Sequence, residues 1–123
     1  MNLSYPKNEK LKSRKLIEKL FSEGTSITSF PLKLIFLQTG NHNKTGVSVS
    51  KKNFRKAVER NKIKRLLREA FRHNKYLLID NNVEGYAFMI LYISKDLPDY
   101  KSVNNNMKQL FTKFLNRLGQ DLK

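Results

Sequence analysis

Residues Lys51 to Lys75, KKNFRKAVERNKIKRLLREAFRHNK, are the stretch around which the rest of the chain is organised. These 25 residues hold 11 lysines and arginines against two acids, a net +9 of the formal +15 carried by all 123 residues. Their apolar side chains recur at intervals of three and four, which is the spacing of a helix with one buried stripe. The stripe consists of Ile63, Leu66, Leu67, Ala70 and Phe71. The pattern predicts an amphipathic helix over about 56–75.

The other side of this helix is basic. It carries Asn61, Lys64, Arg65, Arg68, Arg72 and Lys75, with Arg60 on the flank between the faces and Lys62 off the ridge. A solvated helix face usually alternates in sign, whereas the ridge itself contains no acid. Like charges four residues apart also destabilise a helix. We therefore predict that the ridge binds a polyanion and is more than a solvated surface.

The bulk composition suits one folded domain spanning residues 1–123, with 1–8 as a loose arm and 119–123 as a tail. A sequence isoelectric point near 10.2 indicates nucleic acid or an anionic membrane as partner. No apolar run approaches the ~18 residues of a spanning helix, which disfavours the membrane. The N-terminus lacks the apolar core of a signal peptide, and cysteine is absent. We expect a cytoplasmic protein without disulfides or thiolate metal sites.

The flanking segments predict a mixture of helices and strands. Before the basic helix these are a helix at 9–22, a β-like run at 26–38 and a strand at 47–50. After it come a strand at 86–94 and a helix that ends at about 118. The candidate N-cap of this last helix is Asp99 or Ser102. Asn8 is the candidate cap of the first helix, Gly24 its stop, and Gly119 the stop of the last helix.

Three details of the strand regions matter for the fold. Pro31 lacks an amide hydrogen and belongs at a strand start, an edge or a bulge, so that 25–28 is, alternatively, a separate short strand. Residues 77–79 either extend the basic helix or pack beneath the following turn. YAFMILYIS at 86–94 has no charge on either face, which indicates an interior strand.

No catalytic constellation is evident in the sequence. Asp80, Glu84, Asp96 and Asp99 lie near strand ends, where a two-metal nuclease holds its carboxylates. None of them forms a D-x-D or H-x-E pair, and turn or cap roles explain each. His42 has no second histidine or acid at ligand spacing. We predict a binding protein with no catalytic residue and no metal ligand of its own, and the sequence chemistry leaves DNA and RNA open.

GVSVSKK at 46–52, followed by AVERNKIKRLLREAFR at 57–72, closely resembles the signature of the bacterial ribonuclease P protein subunit. The resemblance covers about residues 9–118. It implies an α+β domain of order α-β-β-β-α-β-α, similar to ribosomal protein S5 domain 2, in which the basic helix makes a left-handed crossover between parallel strands. Handedness statistics alone favour a right-handed crossover.

The resemblance also implies a role. A family member joins a large RNA whose Mg²⁺-dependent active site removes the 5′ leader of precursor tRNA, with one protein copy per RNA expected and Mg²⁺ bound mainly by the RNA. The residues implied to bind RNA are Lys51, Lys52, Arg60, Asn61, Lys62, Lys64, Arg65, Arg68 and Arg72. A cleft between the first helix and the sheet receives the single-stranded leader, with Phe21 at a stacking position.

The sequence departs from the family pattern at two positions. Ile17 stands where many members have phenylalanine, which leaves apolar contact in place of stacking. Lys62 stands where the signature has arginine, which keeps the charge but loses bidentate phosphate geometry. Two other readings stay open: a ribosomal or general RNA-binding module, and a protein-only nuclease.

Overall fold

Among the described residues, four strands form one mixed sheet, and α-helices pack on both of its faces. The computed structural model describes residues 5–121, and the side chains of 5–119. The elements are α1 (Arg14–Glu23), β1 (Thr25–Ser29), β2 (Leu32–Gln38), β3 (Lys44–Val49), α2 (Ala57–Asn74), α3 (Tyr76–Asp80), β4 (Tyr86–Tyr92) and α4 (Tyr100–Asp121). The strand order is β1-β2-β4-β3. β3 pairs with β4 in parallel and the other two pairings are antiparallel, so α2 lies in a crossover connection. The predicted α+β element order is confirmed, with α3 as an added short helix.

The sheet has two unequal faces, because successive side chains along a strand point to opposite sides. The face that packs on α2 and α4, here the α2–α4 face, receives Leu34, Phe36, Phe88 and Ile90. The opposite side, here the α1 face, packs on α1 and on Leu11 of the segment before it. Its buried residues are Leu11, Leu20, Ile35, Ala87 and Met89.

The first helix begins later than predicted. Ser13 is its N-cap and the Ser13 Oγ accepts a hydrogen bond from the Leu16 amide at 3.3 Å, so the prediction of Asn8 as the cap was wrong. The predicted span from residue 9 fails because Leu11 donates its amide to the Thr45 carbonyl at 3.0 Å, in an extended segment beside β3. Gly24 ends the helix as predicted, and a Cβ there would lie 2.3 Å from the Leu20 oxygen.

The described part of the predicted loose arm is held against the sheet. The Tyr5 hydroxyl donates to the Thr45 carbonyl, and its ring packs edge-on against Phe71 with 5.3 Å between centroids. Burial raises the pKa of Tyr5 to about 12. Residues Lys7–Glu9 form a single 3₁₀ turn. The prediction of a loose arm was therefore wrong for residues 5–8, while 1–4 lie outside the described residues.

The strands follow the alternative prediction for the first β region. β1 and β2 are separate and antiparallel, joined at a cis Phe30–Pro31 peptide bond. β3 begins at Lys44, earlier than the predicted 47, because pairing with β4 starts there. β4 lies between β2 and β3, which confirms the interior strand read from its uncharged sequence.

The last helix runs past its predicted stop. Asp99 supplies the cap, since its carboxylate accepts a hydrogen bond from the Ser102 amide at 2.8 Å. This bond lowers the pKa of Asp99. The helix continues through Gly119 to Asp121, so the predicted tail was wrong over 119–121, and 122–123 lie outside the described residues. Within the described chain, no helix is both long and apolar enough to cross a membrane.

Candidate nucleic-acid interface

The two faces of α2 separate as predicted. Ile63, Leu67, Ala70 and Phe71 are buried in the core of the α2–α4 face, while Leu66, the fifth residue of the predicted stripe, is only half-buried. The basic ridge is on the outer side, where Asn61, Lys62, Arg65 and Arg68 are exposed and Lys64 and Arg72 are half-buried. A helix whose inner face is held by the core therefore presents fixed positive charge outward.

The C-terminal end of the ridge is less basic than its sequence suggests. The Arg72 Nη2 lies 2.5 Å from the Glu69 Oε1, and the His73 Nε2 lies 3.1 Å from the same oxygen. The hydrogen bond from Arg72 lowers the pKa of Glu69 and keeps that carboxylate ionised. Arg72 is thus engaged within the helix, and an acid adjoins the ridge at this point.

Lys75 does not belong to the exposed ridge. Its side chain is only 5% exposed and its Nζ lies 3.0 Å from the Glu9 Oε1. The pair joins the N-terminal segment to the end of α2. Sequence reasoning placed Lys75 on the ridge by helical spacing and missed this partner, because the two residues lie 66 positions apart.

Arg60 also stabilises the backbone that precedes α2. Its Nη1 donates to the carbonyls of Phe54 and Arg55, at 2.9 and 2.8 Å. Phe54 is buried and packs near Tyr92, with 6.1 Å between ring centroids. The guanidinium therefore ties down the connection between β3 and α2. No spacing signal in the sequence identifies this role, since Phe54 lies outside the helical stripe.

Lys51 and Lys52, the two lysines that follow β3, are exposed in that connection. They lie in a turn that two hydrogen bonds to Ser50 stabilise. The Lys52 amide donates to the Ser50 Oγ at 3.1 Å, and the Phe54 amide donates to the Ser50 carbonyl at 3.1 Å. The turn presents both lysines next to the N-terminal end of α2. Lys51 and Lys52 are thus exposed in the connection that leads into the basic helix.

A cleft lies between α1, the N-terminal segment, β3 and α2, with a volume of about 190 Å³. Its lining includes Ile17 from α1, Gly46 and Val47 from β3, Met89 from β4 and Arg68 from α2. Arg68 belongs both to the basic ridge and to the lining of the cleft, so the two surfaces adjoin at this residue.

Of the two predicted cleft residues, the structure brings only one to the cleft itself. Ile17 lines it, while Phe21, one turn later on α1, is 49% exposed and is not among the lining residues. Gly46 lies in the cleft wall, and a side chain there would be crowded because its Cβ would lie 3.2 Å from the Met89 Cε and 3.4 Å from the Leu11 Cβ.

The acidic residues weighed in the sequence do not gather into a metal site. Asp99 caps α4, and Glu84 lies 3.8 Å from the exposed His42. Among residues 5–121, no three histidines, cysteines or acids are grouped so that they fit a metal ion. Binding of Mg²⁺ by an RNA partner stays a prediction.

Comparisons with known proteins agree with this geometry. The family described as Ribonuclease P matches residues 5–115. The chain is 39% identical over 112 residues to the ribonuclease P protein component of Porphyromonas gingivalis, covering 84% of this chain and 80% of that one. It is 36% identical over 120 residues to that of Borreliella burgdorferi, covering 93% and 96%. The solved ribonuclease P protein of Thermotoga maritima superposes with a TM-score of 0.69 at 28% identity, covering 83% and 94%.

Proposed function

The chain belongs to the bacterial ribonuclease P protein family, and from this membership we propose that its basic ridge binds the catalytic RNA of ribonuclease P while its cleft receives the 5′ leader of precursor tRNA. As the protein component of this ribonucleoprotein, it is a partner of the ribonuclease P RNA and acts in tRNA processing. The finer assignment of surfaces is our proposal.

The observation that carries the proposal is the position of Arg68. Arg68 lines the cleft together with Ile17 and also continues the exposed ridge of Asn61 and Arg65. A catalytic RNA bound along the ridge would therefore meet the leader of its substrate at the cleft. Positive charge at that point reduces the repulsion between the phosphates of the two RNAs.

The remaining basic residues support the same surface. We propose that Lys51, Lys52, Lys62 and Lys64 attract RNA phosphates electrostatically. Arg60 stabilises the connection between β3 and α2, which contains Lys51 and Lys52. Arg72 contributes charge that Glu69 partly neutralises.

The chemistry belongs to the RNA in this proposal. The protein contributes binding and charge neutralisation, one copy joins each RNA, and Mg²⁺ is held mainly by the RNA. Ile17 supplies apolar contact to the leader and Phe21 supplies a ring on which a base stacks. We expect the complex to act in the cytoplasm.

Replacing Arg65 by alanine tests the ridge. Arg65→Ala should weaken binding of the catalytic RNA and lower the slope of log affinity against log salt by about one, because one phosphate contact is lost. The dissociation constant is measured at several salt concentrations between 50 and 200 mM, roughly the range over which such contacts lose their strength. Lys108→Ala is the matched control, since it removes one exposed positive charge from α4.

Equal effects of the two substitutions at every salt concentration would show that the ridge is not the RNA interface. The RNA that co-purifies with the native protein gives a second readout. One structured RNA that cleaves precursor tRNA supports the proposal, whereas ribosomal RNA would favour a general RNA-binding module.

A further inference from the structure

The turn between β1 and β2 exposes an aromatic ring that the proposed function does not use. Phe30 is 69% exposed, more than Phe21 on α1. Within the described chain it makes no ring contact with another aromatic residue. A single exposed ring needs no explanation by itself, so its surroundings decide whether it has a role.

The sheet topology places Phe30 at the same end as the lysines that follow β3. Ser29, Leu32, Tyr92 and Val49 form one row across all four strands. Each strand spacing is about 4.8 Å, so the row spans on the order of 15 Å. Phe30 follows this row at β1, and Lys51 and Lys52 follow it at β3.

The Phe30 turn is fixed to the sheet. The Ile93 amide donates to the Pro31 carbonyl at 2.9 Å, which joins the turn to the end of β4. On the neighbouring edge strand, the Lys113 Nζ donates to the Thr28 carbonyl at 2.6 Å. The ring is therefore presented by an anchored turn, and its placement is largely set before any ligand binds.

On the α1 face, two successive rows of paired strand residues lie between the cleft and the Phe30 turn. Gly46, Met89 and Ile35 form the row at the cleft and under α1. The next row toward the Phe30 end contains Ser48, Leu91, Lys33 and Thr28. Lys33 lies on the α1 face, since Leu32 and Leu34 on either side of it are fully buried on the other face. A positive charge thus stands between the cleft and the exposed ring.

This arrangement fits unpaired RNA better than a duplex. An aromatic ring stacks on a free base, and lysines along the way attract the backbone. A base-paired RNA hides the faces of its bases and gains nothing from the ring. β1 and β3 are the two edges of the sheet, and α2 contacts β3. An RNA chain that lies across the sheet from Arg68 would therefore reach Phe30 at the far edge.

We propose that Phe30 is a stacking platform for an unpaired base of the 5′ leader, farther from the tRNA than the nucleotides in the cleft, with Lys33 contacting the backbone between the two. The inference rests on the proposed function, because it takes the leader as the chain that occupies the cleft. It adds a second subsite at the β1–β2 turn.

Leader length provides the test. Holoenzyme reconstituted with Phe30→Ala is compared with wild type for binding precursor tRNAs whose leaders range from two nucleotides to about twelve. Affinity for the long leaders should fall by roughly five- to a hundredfold, the usual effect of losing one stacked base, while the shortest leader binds as before. Phe30→Tyr, which keeps the ring, should bind all leaders like wild type. Leu97→Ala, an exposed apolar control at 56% exposure, should also leave binding unchanged.

Two outcomes would overturn the subsite. One is wild-type affinity of Phe30→Ala at every leader length, and the other is an equal loss for the shortest and longest leaders. Neither touches the proposed function, which fails separately if Arg65→Ala leaves RNA binding unchanged or if the wild-type holoenzyme does not distinguish precursor from mature tRNA. Thermal denaturation confirms that the variants fold.

Discussion

The two faces of the sheet are covered to very different extents. The α2–α4 face buries an extensive cluster in which Phe88, Phe111 and Phe114 are fully inaccessible. The α1 face is covered by one ten-residue helix and the segment before it, and it buries only a small cluster. Leu16, Ile17, Leu37 and Leu91 on that side stay partly exposed. The larger apolar core lies on one face, and the other face keeps apolar groups accessible.

This difference in packing explains how a strongly basic chain stays folded while it keeps a charged surface exposed. Self-repulsion among like charges destabilises a compact state, and the aromatic core behind α2 opposes that repulsion. Phe111 packs against Phe71 of α2 and Phe88 of β4, at 5.9 Å between centroids in each case. The ridge is therefore attached to the most strongly packed part of the molecule.

The largest expected effect comes from weakening that core. Phe111→Ala should lower the free energy of unfolding by about 3–5 kcal/mol, the usual loss for a buried phenylalanine. Urea denaturation measures it. Phe21→Ala is the control on the α1 face, where a half-exposed ring should change stability by no more than about 0.5 kcal/mol. Similar losses for both variants would show that the two faces are equally packed.

The features that repeat with a helical or strand period were predictable. The buried stripe and outer ridge of α2 follow from spacing alone, and the uncharged run of β4 marked the interior strand. Local pattern failed where a distant partner decides the structure. Leu11 fits a helical stripe but instead donates its amide to Thr45, and Lys75 fits the ridge but pairs with Glu9.

The site was predictable in part for the same reason. The exposure of Arg65 and Arg68 follows from the stripe opposite them. The hydrogen bonds from Arg60 to Phe54 and Arg55 depend on the path of an irregular connection, which no periodicity encodes. The sharing of Arg68 between ridge and cleft depends on how α1 and the N-terminal segment pack across β3.

A smaller effect, on binding and not on stability, is expected at Phe21. Phe21→Ala should weaken binding of precursor tRNA by about 1–3 kcal/mol, since one base loses its stacking partner, and should leave mature tRNA unaffected. Equilibrium binding to the reconstituted holoenzyme measures both. Phe21→Tyr keeps the ring and should retain affinity. An equal loss for precursor and mature tRNA would show that Phe21 supports the packing of α1 and does not contact the leader.

The smallest expected effect concerns the start of α1. A ten-residue helix is marginal by itself, so its cap bears on how firmly the α1 face is covered. Ser13→Ala removes the acceptor of the Leu16 amide and should lower the free energy of unfolding by about 0.5–1 kcal/mol, the lower part of the range for an N-cap. The rate of hydrogen exchange at the first amides of α1 should increase in the same variant.

Asn8→Ala is the matched control for that cap. Asn8 is the cap that the sequence suggested, but it lies in the 3₁₀ turn ahead of the helix and is exposed. Its replacement should change stability by less than about 0.5 kcal/mol and leave exchange in α1 as it was. A larger effect at Asn8 than at Ser13 would move the start of the helix back to residue 9. The N-terminal segment would then no longer run extended beside β3, and the cleft that it helps to wall would lose one side.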